Sequence, residues 1–89
     1  MEFKLACKTA LEYFQEDYDD TGLSAIRDVG DRWVFSAGNK AREVFYGKNP
    51  VAIKKDGEEI LPFYMTDEHN RKLLREAKNL EIPEEFKIR

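Results

Sequence analysis

Residue types able to carry chemistry are few in this chain and stand far apart. His69 is the only histidine, so a histidine-based metal site would need Cys7 or carboxylates as further ligands. The apolar spacing around Cys7, however, assigns it to the buried face of a different helix. A first-turn histidine in water is the simpler reading of His69. The serines, Ser24 and Ser36, lie in no nucleophile-elbow sequence and have no histidine base near them in the chain. The five glycines are scattered one to a turn, so no glycine-rich loop forms to cradle phosphate. These residues point away from an enzyme, and no cofactor and no metal site are expected.

One metal-like pattern does occur. Asp17, Asp19, Thr21, Gly22 and Asp28 have the spacing of an EF-hand loop, in which hard oxygen ligands surround a turn-forming glycine. Ser24 stands where such a loop carries an aliphatic residue, Asp28 is short for the closing ligand, and Gly30 with a strand follows in place of an exiting helix. The same stretch has an electrostatic peculiarity. Glu16, Asp17, Asp19 and Asp20 crowd the expected C-terminal end of the first helix, where the dipole disfavours anions by about 0.3 to 1 kcal/mol each. Residues 1–21 hold six acids against two lysines, a net −4, whereas 22–79 hold eleven bases against nine acids, a net +2. That asymmetry is what an acidic docking surface around Tyr18 would look like, since charge steers association and aromatics anchor interfaces. A helix end fraying into water fits the same residues. The candidate partner-binding residues are thus Glu16, Asp17, Tyr18, Asp19 and Asp20.

The elements that must position these residues follow from hydrophobic periodicity. Phe3, Cys7, Ala10, Leu11, Phe14 and Tyr18 recur at three- and four-residue intervals, the stripe of an amphipathic helix over 1–20, with Lys8 and Glu12 four apart on its outer side. Thr21-Gly22 stops it. Residues 23–65 then read as an antiparallel meander of four or five strands. Leu23 to Val29 is an interrupted strand, because Ser24, Arg27 and Asp28 break the alternation. Gly30-Asp31 turns the chain into a strand with Trp33, Phe35 and Ala37 on one face and Val34 and Ser36 on the other. This makes Trp33 a core residue in preference to a ligand-stacking one. Val44-Phe45-Tyr46 makes a short strand, Pro50 opens another over Val51–Lys54, and Asp56-Gly57 supplies the positive φ of a tight hairpin leading to Ile60–Met65. Pro62 marks that last strand as an edge. Thr66 caps a second helix over 67–80, with Asn70, Leu73, Leu74, Ala77 and Leu80 on its packing face and Glu68, Arg71, Lys72, Arg75, Glu76 and Lys78 towards water. Phe86 and Ile88 are left to dock on the sheet, dock on a neighbour, or stay mobile.

Eighty-nine residues, with six Phe, four Tyr and one Trp among them, suffice for a single domain with one modest core. The predicted class is α+β: an N-terminal helix on a curved antiparallel sheet, with a second helix near the C-terminus. A formal charge of −3 gives no general attraction to nucleic acid or to an anionic membrane. One cysteine cannot form an internal disulfide, which fits a reducing cytoplasm. The first residues lack the basic leader and apolar stretch of an export signal, and no run has transmembrane length.

The helix followed by Asp31-Arg32-Trp33-Val34-Phe35-Ser36, and then Tyr46-Gly47-Lys48-Asn49-Pro50-Val51-Ala52-Ile53-Lys54-Lys55-Asp56-Gly57-Glu58, resembles the bacterial immunity protein 35 family over about residues 3–61. Trp33 and Phe35 match its aromatic strand, Gly47, Asn49 and Pro50 its turn, and Asp56-Gly57 its hairpin. Lys48 between Gly47 and Asn49, and a helix from Asp67 to Asn79, are departures from the family pattern. The resemblance implies a small α+β protein of a polymorphic toxin system and, since the matched residues are structural, no active site. The expected function is non-catalytic neutralisation of a cognate toxin by direct protein–protein binding, by a monomer or weak homodimer. Two other classes fit the residues. One is a cystatin-like ligand-binding or regulatory domain using the concave sheet face, and the other an enzyme accessory subunit joined through Phe86 and Ile88.

Overall fold

A computed structural model of the chain describes residues 2–16, 21–38, 50–57, 59–64 and 66–87. In chain order these form helix α1 (Phe3–Gln15), strands β1 (Gly22–Asp28), β2 (Arg32–Gly38), β3 (Val51–Lys54) and β4 (Ile60–Pro62), helix α2 (Glu68–Glu76), strand β5 (Lys78–Leu80) and a 3₁₀ turn at Glu84–Phe86. The strands make one sheet in the order β4-β3-β2-β1-β5, with every neighbouring pair antiparallel. The α+β class is therefore as expected, with an N-terminal helix and a second helix near the C-terminus. The predicted strand at 44–46 lies outside the described residues.

Alternation along β2 decides which side of the sheet each helix covers. Trp33 stands opposite Ile53 and Phe35 opposite Val51, while Phe35 also faces Ile26 across the other ladder. Directly opposed residues share a face. That face meets α1, whose Ala6, Cys7, Ala10 and Phe14 pack with Leu23, Ile26, Trp33, Phe35, Val51 and Ile53 into the main core. Phe35 and Ile53 are wholly inaccessible to water, and burial of a side chain of that size stabilises by about 1.5–3 kcal/mol. Val34 and Ala52, opposite each other on the reverse face, bury with Phe63 beneath Leu73 and Leu74 of α2. The helices thus sandwich the sheet. Val34 and Ala52 are covered on the reverse face as Phe35 and Ile53 are on the other.

The broken pattern of β1 has a geometric cause. Leu23 pairs with Ala37 and Ala25 with Ser36, so a bulge at Ser24 sets two residues of β1 against one step of β2. The extra residue lets Leu23 and Ile26, three apart, both face α1. It also throws Arg27, opposite Val34, onto the α2 side. At the following turn Gly30 has φ 112°, the left-handed region that favours glycine, and its N–H donates to Asp28 Oδ1 at 2.9 Å. Gly57 does not need that region. The β3–β4 connection spans 55–59, and it is the Gly57 N–H bond to the Lys54 carbonyl, 3.2 Å, that turns the chain. The hairpin was expected, but its tight positive-φ turn is not what forms.

The second helix is shorter than its periodicity predicts. Its cap is Asp67, not Thr66: the Asn70 N–H donates to Asp67 Oδ1 at 3.2 Å. At the other end Ala77 turns extended, with ψ 149°, and Lys78–Leu80 joins the outer edge of β1, with Leu80 opposite Ile26. Leu80 therefore packs on the α1 face with Ile82 and Phe86, away from Leu73 and Leu74. The unfilled hydrogen-bonding edge of β1 and the apolar space beside Ile26 outweigh the local helix preference of these residues. No residue of α2 is fully buried, in keeping with its predicted lighter packing.

Candidate functional site

The expected contact segment is only partly placed. Glu16 is the exposed C-cap residue of α1, whose last turn holds no basic residue. Asp17, Tyr18, Asp19 and Asp20 lie outside the described residues. Asp28, the last position of the calcium-like spacing, is engaged otherwise. Residues 22–28 run extended in β1, and the Asp28 carboxylate accepts from Lys55 Nζ at 2.9 Å and from the Gly30 N–H. Among the described residues no three His, Cys, Asp or Glu side chains gather as a metal site would require. His69 stands exposed in the first turn of α2. Burial pushes the Cys7 thiol up to about 11, so it stays protonated and packs as a small apolar group.

Trp33 is buried in the core, and two neighbours cover its ring. Phe3 meets its ring edge-on at 5.3 Å between centroids, and Lys55 Nζ lies 5.7 Å above it while bonded to Asp28. That bond, and secondarily the one from Gly30, holds the Asp28 carboxyl below the usual carboxylate range. A lowered folded value means that the ion pair stabilises the fold above the unfolded value of about 3.9 and loses its contribution as pH falls through the folded one. Both side chains are partly in water, so Asp28→Asn should cost less than about 1 kcal/mol at neutral pH. Urea midpoints taken from neutral pH down to about pH 2 should show variant and parent converging in acid. A gap of constant size across that range would mean that the charge on Asp28 is not its source.

The feature that the sequence did not single out lies on the other side of the sheet. Arg27 from β1 and Glu68, Arg71, Leu74 and Arg75 from α2 line a groove of about 510 Å³. The bulge at Ser24 sets Arg27 on this face, and the spacing 68, 71, 75 brings the α2 side chains to one side of the helix, over Leu74. Arg71 and Arg75 are exposed, Arg27 half-buried. None of the three guanidinium groups makes an ion pair or hydrogen bond with another described residue, Glu68 included. Like charges one helical turn apart destabilise by about 0.2–0.5 kcal/mol, and a third from β1 adds to the repulsion. The sequence shows Arg71 and Arg75 four apart but assigns them to solvent. Only the register of β1 reveals that Arg27 joins them.

The chain matches no family model, no curated protein and no solved structure. Of the residues that carry the immunity protein 35 resemblance, Trp33 and Phe35 fill the core, Pro50 leads into β3 and Asp56-Gly57 lies in the β3–β4 connection. Gly47 and Asn49 lie outside the described residues. No helix among the described residues is long and apolar enough to cross a membrane.

Proposed function

We propose that this chain is a non-catalytic protein-binding module, an immunity protein of the kind the resemblance implies, which neutralises a toxin by covering part of its surface. The observation that supports the reading is the groove of three arginines without carboxylate partners among the described residues. A fold gains nothing from gathering like charges, whereas a binding surface gains specificity and a faster encounter with an oppositely charged partner. Arginine is also the charged residue most enriched at the energetic centres of interfaces. The protein acts in the cytoplasm in this reading, with the toxin domain as its partner.

Protection of cells is the test. Cells that coexpress the chain with a toxin domain should survive, where such a domain is found encoded beside it. Arg27→Gln with Arg71→Gln and Arg75→Gln should abolish survival while the circular dichroism spectrum is unchanged. The variant Asp19→Asn with Asp20→Asn reports on the other candidate surface. Loss of protection in that variant alone would move the contact to Asp19 and Asp20, full protection by both would remove both surfaces, and failure of the parent chain to protect would remove the immunity reading.

A further inference from the structure

The groove has a chemistry more specific than positive charge. Arg71 and Arg75 stand one helical turn apart, which sets their Cβ atoms about 5–6 Å from each other, and each guanidinium presents a planar fork that matches a carboxylate in bidentate fashion. Two acidic side chains four apart on a helix, or two apart on a strand, have nearly that separation. Arg27 projects from a strand whose position is fixed by two ladders, so it is the least mobile of the three. Leu74 supplies an apolar floor between the charges.

Other anions fit less well. Phosphate sites on helices use free N–H groups of the first turn. At α2 that turn is served by the Asp67 carboxylate, and Glu68 stands both in the first turn and in the groove lining. A phosphate concentrates its charge at one centre within the field of Glu68, whereas two separated carboxylates spread theirs over the arginines. The chain's net −3 also opposes a polyanion such as nucleic acid.

We infer that the groove of Arg27, Arg71 and Arg75 receives a pair of carboxylates from an acidic segment of a protein partner, with Glu68 excluding phosphate. This rests on the protein-binding reading above and names the partner's chemistry at that surface.

The test is titration of the intact chain, followed by NMR at low salt, with three probes: a short peptide bearing two glutamates four apart around a leucine, inorganic pyrophosphate, and single-stranded DNA. The peptide should saturate with shifts centred on Arg27, Arg71 and Arg75, and R71Q with R75Q should weaken it at least about tenfold. R71K keeps the charge but loses the fork, and should still weaken binding severalfold. E68Q should strengthen pyrophosphate more than the peptide. Pyrophosphate or DNA binding more tightly than the peptide, or R71Q with R75Q binding the peptide as the parent does, would overturn the inference. If protection requires the arginines but the peptide does not bind, the carboxylate chemistry is wrong and the immunity reading survives. If the peptide binds at the groove but the parent chain protects no cells, the site stands and that reading fails.

Discussion

Trp33→Ala should lower the stability of the fold by about 3–5 kcal/mol, the range for deleting a buried large aromatic side chain. Trp33 is 9% exposed, lies opposite Ile53, and is held edge-on by Phe3 from the first turn of α1 and covered by Lys55. Its removal leaves a cavity between helix and sheet and releases the Phe3 contact together with the start of α1. Urea unfolding followed by far-ultraviolet dichroism gives the number. A cycle with Phe3→Ala isolates the aromatic pair, for which a coupling of about 0.5–1.5 kcal/mol is expected. A loss below about 1 kcal/mol for Trp33→Ala would contradict its place in the core and restore a ligand-stacking role to the ring.

Ala10→Leu should be the next most damaging change, at about 1–3 kcal/mol. Helix α1 lies on the sheet through Ala6, Cys7 and Ala10, each wholly shielded from water. These short side chains let the helix backbone approach Phe35 and Val51 closely, with Phe3 and Phe14 flanking the contact. A leucine at the middle of that contact has no space and must push the helix outward, loosening Phe14 and Phe3 together. The same substitution at Thr9, one position away and half-exposed, should be nearly neutral by comparison. Equal losses at the two positions would show that α1 is not seated on its small residues.

Most of the core was legible because it is written in local periodicity. The stripe of α1 from Phe3 to Phe14, the Trp33-Phe35-Ala37 face of β2 and the buried run of β3 each lie within one element, and each stands where the pattern put it, whereas Tyr18 lies outside the described residues. What escaped is set by contacts between elements. Lys78-Asn79-Leu80 holds one apolar residue in three and reads as the end of a helix, but it becomes a strand because β1 has an edge to fill. The interruption at Ser24 reads as a weak strand, although it is a bulge that improves burial by turning Leu23 and Ile26 to one face. The arginine groove was hidden for the same reason. Arg71 and Arg75 alone are an ordinary solvated helix face, and the third member comes from a strand far away in the sequence.

The outer edge of β1 is closed late in the chain, by Leu80 opposite Ile26 and by Lys87 in a parallel bridge to Leu23. Without these residues the hydrogen-bonding edge of β1 would lie bare beside Ile26. A bare edge beside the half-covered Ile26 is a template for pairing with another chain. Residues 78–87 therefore cover an edge of β1 that would otherwise be open to such pairing. Crossing from α2 on one face to β5 and Phe86 against the other, this stretch acts as a clasp that ties both helical layers to one strand of the sheet.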